Sequence, residues 1–397
     1  MSNYLGDSQY IAIKVEAIEN TPVLPNLFLP LINEDVKTIL NREVDPRMAG
    51  VDWENFDVVN GRRTHEGTIE LYADPDTLGH LFNMLYKKGT TTGDGSVGYT
   101  HPFTAENPDS YTIEIAKGLY AQRYFGVKAD KLKLEFDGNK LKATVDIKAA
   151  GQWSVGTLDG NLSGSSTELY LKQNYSVRPN YGLIVGDVLV VGGVEVTLTS
   201  VDAGGLKVGF GAISITASDG DPVYLKKQAY SAATLYAPFL EGNCLIGVGV
   251  NEAAATTAAG SRTTATPVEN LIIELSNNLL QQPASGSSDP IKILPQAKKA
   301  NITLKKLFED TTQHQKWLDA TKQAITVIMT GKYIKSDRTT HELLTIKFHN
   351  VKLNPNNNAI GIGEYIYDDQ TFDVLYDNTD GKAIEISLVN RTAGTSM

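Results

Sequence analysis

Cysteine is nearly absent from this chain, which has Cys244 as its single thiol in 397 residues. An intrachain disulfide is therefore excluded, as is typical of proteins that assemble in a reducing cytoplasm. Cys244 itself is interpreted as a small buried apolar side chain. The six histidines show neither a metal-site spacing with cysteine nor a HExxH helix. We predict no metal site and no cofactor.

Long hydrophobic runs are missing as well. Even the segment Leu183–Val191 is interrupted by Gly186 and Asp187, and it is much shorter than the roughly 18 apolar residues that a membrane-spanning helix needs. The N-terminus has no basic region followed by an apolar one, so the sequence indicates no signal peptide. We expect a soluble protein that is made and used without export and without membrane insertion.

Positive charge is in deficit, because 36 Lys and Arg residues stand against 46 Asp and Glu residues and give a formal net charge of -10. Nucleic-acid binding depends largely on basic side chains that neutralise phosphates. The balance therefore argues against tight nucleic-acid binding. It still permits a surface past which DNA slides.

Signatures of catalysis are also missing. The sequence has no GxSxG elbow and no Walker loop, and Gly247-Val248-Gly249 lacks the third glycine and the helix of a dinucleotide-binding loop. Three acidic clusters are interpreted as helix N-caps and solvated turns: Asp74-Pro75-Asp76, Glu309-Asp310 and Asp368-Asp369. We predict that the protein is not an enzyme.

A strand-then-helix pattern occurs twice, about 233 residues apart. Gly67–Leu71 is an alternating strand followed by a capped amphipathic helix with Leu78, Leu81, Phe82 and Leu85, and Ala300–Leu304 is followed by a shorter helix with Trp317 and Leu318. Such self-similarity predicts two copies of one domain. Because strand alternation dominates elsewhere, we expect a mainly β fold with two pseudo-repeated β-sandwich or barrel domains, residues 1–153 and 232–397, each with one flanking α-helix.

Residues 154–231 differ in character from both repeats. Ser163-Gly164-Ser165-Ser166 opens a segment of short Val-rich strands joined by Gly-Asp and Gly-Gly turns. This composition predicts an inserted small all-β barrel or sandwich domain. Beyond it, the Thr, Ala and Gly-rich segment Glu252–Ala265 is interpreted as a loop.

Two long polar segments occupy matching positions in the repeats, and we call Asn41–Gly61 the first arm and Asn277–Ala297 the second arm. Both are interpreted as extended loops or hairpins. A Trp in the first arm is interpreted as an anchor that docks onto another surface. The basic pairs Arg62-Arg63 and Lys298-Lys299 precede the matching strands of the two repeats. They are interpreted either as solvated residues at a strand entry or as intersubunit contacts to carboxylates such as Asp45, Glu54 or Asp57 of a neighbour. The contact candidates are Arg42, Asp45, Arg47, Trp53, Arg62, Arg63, Lys298 and Lys299.

The order of several short phrases resembles the tail tube proteins of long-tailed bacteriophages, in particular the two-domain type of siphophages, whose tails do not contract. The resemblance covers nearly the whole chain apart from the insertion. It rests on these segments: Asn60–Leu71 with the helix to Tyr86, Tyr99–Phe103, Tyr124–Lys128, Leu132–Leu134, Leu271–Leu279 and Leu375–Asp377.

This resemblance implies that each repeat is a tail tube domain whose inner sheet joins its neighbours into a closed barrel, and that rings stack into a hollow tube for genome ejection. Two tube domains per chain imply a homotrimeric, pseudo-hexameric ring rather than a homohexameric one. The arms would reach the adjacent ring, mobile before assembly and ordered afterward. An acidic lumen would let DNA pass without tight binding.

The same resemblance implies further partners and a location. A tape measure protein would set the length of the tube, and tail terminator and baseplate proteins would bind its ends. The protein would be part of the virion and would be assembled in the cytoplasm of the bacterial host. The inserted domain would project outward, because it would obstruct the lumen.

Two other classes of function stay open. The chain could be a tail-associated adhesin that binds a host surface or glycan through the inserted domain, which would require an aromatic-lined groove around Tyr170, Tyr175 and Tyr181. A hydrolase of the same particle would need positioned acid and base residues, and the isolated carboxylates give it little support.

Overall fold

The computed structural model describes residues 10–45, 57–95, 97–172, 181–203, 205–230, 236–283, 285–307, 312–334, 340–354 and 367–393. Within these ranges the chain is mainly β, as the alternation predicts, and it contains three α-helices. Side chains of residues 43–45, 57–60, 307, 312–314 and 367–368 lie outside the description.

The part of the chain before the insertion contains twelve strands and one helix. In chain order these are β1 (Ile11–Val15), β2 (Leu27–Leu29), β3 (Asn33–Glu34), β4 (Lys37–Asp45), β5 (Asp57–Tyr72), α1 (Pro75–Leu85), β6 (Lys87–Lys88), β7 (Thr92–Asp94), β8 (Gly98–Thr104), β9 (Tyr111–Lys117), β10 (Tyr120–Asp137), β11 (Lys140–Ala149) and β12 (Gly151–Trp153). We call this part the first half.

Helix α1 begins where the acidic cluster Asp74-Pro75-Asp76 predicts it. The Asp74 carboxylate accepts hydrogen bonds from the backbone N–H groups of Asp76 and Thr77, both at 3.0 Å, and Pro75 supplies the first helical residue, which needs no donor. The Thr77 hydroxyl donates to the second carboxylate oxygen at 2.6 Å. Burial raises the pKa of Asp74, and these donors partly offset that shift.

Replacing Asp74 by Ala should cost about 1–2 kcal/mol of stability, because it removes the acceptor for three donors at a buried helix start. Asp74→Asn is the matched control, since the amide keeps an oxygen acceptor and removes the cost of burying a charge. Urea unfolding followed by circular dichroism would compare the three proteins. Equal midpoints for Asp74→Ala and the parent chain would contradict the capping role.

The inserted segment folds into a barrel of its own. Its strands are β13 (Val155–Asp159), β14 (Ser165–Leu171), β15 (Val188–Val191), β16 (Val194–Val201), β17 (Lys207–Ser214) and β18 (Pro222–Leu225). They pair in the closed order β13-β14-β17-β16-β15-β18. Leu158, Leu171, Val191 and Leu225 belong to a hydrophobic core that is separate from the main one. The small all-β insertion that the turn-rich sequence predicts is thus present.

The part after the insertion, the second half, contains nine strands and two helices. These are β19 (Cys244–Gly249), α2 (Glu252–Ala259), β20 (Asn270–Ser276), β21 (Leu280–Gln282), β22 (Lys292–Leu294), β23 (Lys299–Leu307), α3 (Thr312–Leu318), β24 (Gln323–Tyr333), β25 (His341–Leu353), β26 (Tyr367–Val374) and β27 (Ile384–Asn390). Helix α3 lies where the Trp317 pattern predicts a helix. Asp368 and Asp369 lie within β26 rather than in a turn.

Helix α2 corrects the prediction that Glu252–Ala265 is a loop and that each repeat has one helix. The Asn251 side chain caps it by accepting from the Ala254 N–H at 2.9 Å. Gly247 and Gly249 of β19 explain why it packs so closely: a Cβ on Gly247 would lie 2.0 Å from the Ala255 carbonyl oxygen. The Gly247-Val248-Gly249 sequence is therefore a strand surface for a helix, in agreement with the strand-or-turn interpretation.

Seven strands of the first half have counterparts that pair in the same order in the second half. In the first half, β4-β5-β11-β10 form one sheet and β1-β9-β10-β12 a second, with β10 belonging to both. In the second half, β20-β23-β26-β25 and β19-β24-β25-β27 pair in the same order. Strands Gly67–Leu71 and Ala300–Leu304 lie within the corresponding strands β5 and β23. The pseudo-repeat predicted from the sequence therefore exists in the strand topology, while the domain boundaries stay predictions.

The registers of the two halves also correspond. Lys131 of β10 lies opposite Asp146, which lies opposite Thr68 of β5. Lys352 of β25 lies opposite Asp373, which lies opposite Asn301 of β23. One hydrophobic core contains residues of both halves, among them Leu71, Leu132, Leu275, Ile302 and Phe372.

Candidate self-assembly interface

A single sheet of eight strands runs through both halves, in the order β4-β5-β11-β10-β20-β23-β26-β25. The internal junction is the antiparallel pair β10 and β20, in which Lys131 lies opposite Ser276 and Leu132 lies opposite Leu275. An ion pair crosses it diagonally, with 3.0 Å between Lys131 Nζ and Glu274 Oε1. The two halves are therefore joined by backbone hydrogen bonds within one sheet.

The sheet has one apolar and one polar face. Leu132 and Leu134 of β10 are buried in the core, and Lys131, Lys133 and Glu135 alternate with them on the other face, as their sequence predicts. Cations and carboxylates are interleaved on this polar face. Its ion pairs include Lys131–Glu274 at 3.0 Å, Lys133–Glu135 at 2.6 Å, Lys142–Glu70 at 3.7 Å and Lys305–Glu269 at 3.0 Å.

The two ends of this sheet are strand edges. Within the described part of the chain, β4 pairs with β5 alone, and Lys352 and Leu353 at the end of β25 pair with β26 alone. The Asn354 N–H donates to Thr371 O at 2.8 Å, toward β26, so the Leu353 N–H points away from the sheet by the alternation of antiparallel strands. Unpaired edges of this kind are templates for pairing with another chain.

The second arm folds back over the first half of its own chain. Strands β21 and β22 form a hairpin in it, and the Arg63 guanidinium donates to Asp289 Oδ2 at 2.6 Å. The Asp289 carboxylate also contacts His65 Nε2 at 3.0 Å, and Lys148 Nζ donates to the Leu279 carbonyl at 2.7 Å. The arm thus covers the start of β5 and the end of β11. Its described residues are already seated in the isolated chain, whereas the resemblance implies ordering on assembly.

The first arm continues the β4–β5 ladder outward. Its described backbone is a hairpin in which Asp45 lies opposite Asp57 and Arg42 lies opposite Asn60. This selects the hairpin over the extended loop. Of the contact candidates in this arm, Arg42 is exposed, Asp45 is described by its backbone alone, and Arg47 and Trp53 lie outside the described residues.

The basic pairs have different surroundings. Arg62 and Lys299 are exposed, whereas Arg63 is occupied by Asp289 of its own chain. Lys298 Nζ donates to the Ala105 and Glu106 carbonyls, at 2.5 and 3.0 Å, and partial burial lowers its pKa. Arg63 and Lys298 therefore have intrachain partners, and an intersubunit role for the exposed Arg42, Arg62 and Lys299 stays a prediction.

A buried ionic cluster, which the sequence patterns did not single out, joins the first half to the inserted barrel. Arg123 of β10 is 1% exposed and donates to both carboxylate oxygens of Asp187, at 2.6 and 2.8 Å. It also donates to Glu114 Oε2 at 2.7 Å, and the Tyr10 hydroxyl donates to Glu114 Oε1 at 2.8 Å. Burial lowers the pKa of Arg123, but the charges of Asp187 and Glu114 outweigh this and raise it. Burial and the Glu114 charge raise the pKa of Tyr10.

One signal for this cluster was available in the sequence. Glu114 lies between Ile113 and Ile115 in a strand whose neighbours are apolar on both faces, and Arg123 lies directly opposite it in β10. A carboxylate in such a run needs a cationic partner. Asp187 could not have been found this way, because it comes from a turn of the inserted barrel.

The tyrosines that an adhesin hypothesis requires do not share one groove in the described part of the chain. The Tyr181 ring packs edge-on against Phe125 of the first half, with 4.8 Å between ring centroids. Tyr170 is exposed on β14 beside Lys207 and Glu168, and Tyr175 lies outside the described residues. These positions give the adhesin hypothesis no support.

The described ranges offer no further site of the metal-ligand or membrane-spanning kind. No group of three or more His, Cys, Asp or Glu side chains there has the arrangement of a metal site. No helix in those ranges has the length and hydropathy needed to cross a membrane. Burial raises the pKa of Cys244 to about 12, so its thiol stays protonated at neutral pH.

Residues 6–204, about half of the chain, match the family model described as phage tail tube protein. This match spans the first half and continues into the inserted barrel as far as β16. A search of curated proteins found no match to the chain.

Proposed function

The chain belongs to the phage tail tube protein family, and from this premise we propose that its copies join through their sheet edges into rings that stack as the hollow tube of a phage tail. The observation that carries the proposal is the eight-strand sheet with one unpaired edge at β4 and another at the end of β25. In a closed ring, every such edge gains a partner, and no aggregation-prone edge is left.

The internal junction supplies the register of the proposed contact. Strand β25 corresponds to β10, and the strand from β3 to β4 corresponds to β20. Copying the β10–β20 register places Lys352 opposite Lys37 of the next copy and Leu353 opposite Val36. In the single copy the Val36 N–H donates to Glu34 Oε2 and its carbonyl accepts from Lys117 Nζ, so pairing exchanges these two side-chain partners for the neighbouring strand. Lys352 and Asp35 then take the places of Lys131 and Glu274, so the diagonal ion pair is reproduced between chains.

Three copies per ring agree best with the dimensions of such a barrel. Three chains contribute about 24 strands, and with a spacing of about 4.8 Å and a tilt of about 40° these give a backbone diameter of about 48 Å. A DNA duplex about 20 Å wide passes through with room for side chains and water. Six chains would double the diameter. We therefore favour a homotrimeric, pseudo-hexameric ring.

The polar face of the sheet is the proposed luminal face, because the opposite face is already buried in the core. The resemblance led us to expect an acidic lumen, whereas this face interleaves both signs of charge. Lys131 and Lys142 have carboxylate partners on neighbouring strands and Lys133 has one on its own strand, so DNA phosphates compete with existing ion pairs and release fewer counterions. This arrangement supports passage of the genome without tight binding.

The remaining roles follow from the family. We propose that the protein is a structural component of the virion rather than an enzyme, that it assembles in the host cytoplasm, and that a tape measure protein, a tail terminator and baseplate proteins bind it there. The siphophage, two-domain type is the form that the duplicated topology favours. The inserted barrel lies outside the eight-strand sheet and would decorate the outer surface.

Negative-stain electron microscopy of the purified full-length protein, at increasing concentration, tests the proposal directly. We expect discs or tubes with a central hole and three protrusions per ring from the inserted barrels. Six protrusions per ring would contradict the trimeric stoichiometry. Dispersed monomers at every concentration, even after addition of preformed tail tips as initiators, would contradict self-assembly through the edges.

A further inference from the structure

An exposed apolar surface at the end of β26 corresponds to the surface that the second arm covers in the first half. The strand registers identify the matching positions. Lys148 lies opposite Glu66 in the first half, and continuing the β23–β26 register to Lys299, the counterpart of Glu66, reaches Leu375 after β26. Ala149 then corresponds to Tyr376. Ala149 is 2% exposed, whereas Leu375 is 40% and Tyr376 is 61% exposed. Leu375 and Tyr376 are thus exposed, whereas Ala149 is packed in the main core, and Ala150, which the second arm covers, corresponds to Asp377, which is buried.

The second arm is held on the first half by specific hydrogen bonds and apolar contacts. Lys148 Nζ donates to the Leu279 carbonyl at 2.7 Å, and Gln281 Nε2 donates to the Ala149 carbonyl at 3.4 Å. Leu279 and Ile293 of the second arm pack against Ala150 in a small apolar cluster. The second arm leaves the sheet between β20 and β23, so it covers the half that lies beside it across the internal junction.

The first arm leaves the sheet at the matching place, where the β4–β5 ladder passes Lys37 and Glu66, the counterparts of Ser276 and Lys299. Within the described residues β4 pairs with β5 alone, so no half of the same copy lies beside this arm. In the proposed ring, the half beside it is the second half of the neighbouring copy, which presents Leu375 and Tyr376.

We propose that the surface formed by Leu375 and Tyr376 binds the first arm of the neighbouring copy in the same ring. This inference rests on the proposed ring and names a second contact in it, beside the edge pairing of β25 and β4. The choice of the first arm as the occupant follows from the arrangement inside the chain, in which the second arm covers the half that lies beside it in the same sheet. It differs from the expectation that the arms reach the adjacent ring.

Cross-linking of assembled tubes distinguishes the two arrangements. Asn41→Cys and Tyr376→Cys are introduced together, because Asn41 corresponds to Leu280 at the base of the arm, and a short bismaleimide is added. Cys244 is mostly buried and serves as the single-thiol background in the parent chain. We expect covalent oligomers that end at the trimer. A ladder that continues beyond the trimer would place the first arm on another ring and overturn the proposal.

A paired substitution gives an independent readout. Leu375→Ser with Tyr376→Ser should raise the protein concentration needed for tubes at least tenfold while leaving the unfolding midpoint of the monomer unchanged. Val185→Ser is the matched control, because Val185 is 61% exposed in a turn of the inserted barrel, outside the eight-strand sheet. Unchanged assembly of the double variant would contradict the docking surface. If the parent chain itself formed no rings, the proposed function would fail and this inference with it; tubes without trimeric cross-links would overturn the inference alone.

Discussion

Arg123→Ala is expected to destabilise the protein by about 3–5 kcal/mol, the largest effect that we predict for a single side chain. The substitution leaves Asp187 and Glu114 buried without their cation, and desolvated carboxylates without a partner are costly. It also removes one link between the first half and the inserted barrel, since both oxygens of Asp187 bind this one guanidinium. Urea unfolding followed by tryptophan fluorescence would measure the loss, with Trp153 at the start of the insertion as a local reporter.

Two control variants separate burial from charge. Lys226→Ala removes an exposed ion pair with Glu195 and should change stability by less than about 1 kcal/mol. Arg123→Lys keeps the charge but offers a single ammonium in place of a fork, so it should recover part of the stability. If Arg123→Ala and Lys226→Ala had equal midpoints, the buried cluster would not hold the barrel in place.

Reversing the charge of Lys352 should abolish tube formation at concentrations at which the parent chain assembles. In the proposed ring, Lys352→Glu lies diagonal to Asp35 of the next copy, so the diagonal attraction becomes repulsion at every junction; Lys37, directly opposite, is already paired with Asp35 at 2.8 Å. Asp35→Lys should have the same effect, because it lies diagonal to Lys352. Sedimentation of tubes over a concentration series would show a rise of about tenfold or more in the concentration needed for assembly.

The double variant Lys352→Glu with Asp35→Lys is the decisive control. It restores opposite charges across each junction with the positions exchanged, so assembly should return toward that of the parent chain. The two single variants, mixed, would match charges at two of the three junctions of each mixed ring and repel at the third, so the mixture should recover assembly only in part. If neither the double variant nor the mixture recovered assembly, the register copied from the internal junction would be wrong, even though the parent chain forms tubes.

Local sequence patterns were sufficient to predict much of the secondary structure. The alternation of Leu132 and Leu134 with Lys131, Lys133 and Glu135 predicted a strand with one buried and one charged face, and the apolar spacing after Asp74 predicted a capped helix. Both exist, because neighbours two to four positions apart determine which face of a strand or helix meets the core. The match between β5 and β23 could be predicted for the same reason, since each strand is followed by its own helix.

Contacts between distant segments could not be predicted. Nothing within Asn277–Ala297 indicates that Asp289 meets Arg63, or that Glu274 meets Lys131 across the internal junction. Helix α2 was missed for a different reason. Its Ala and Thr residues form no apolar stripe, and the helix is held instead by the flat surface of Gly247 and Gly249 on a separate strand. In such a helix, tertiary packing contributes more to stability than local helix propensity does.

The junction between β10 and β20 changes the order of events in building a ring. Because it forms as each chain folds, half of the six lateral contacts of the proposed trimeric ring are in place before any two molecules meet. Association then costs translational and rotational freedom for three bodies rather than six, at an estimated 4–15 kcal/mol per association. The intrachain contacts, including the seated second arm, act as a scaffold of fixed geometry. Chain duplication thereby lowers the kinetic order of nucleation, and it allows alternate positions around the ring to carry different surfaces.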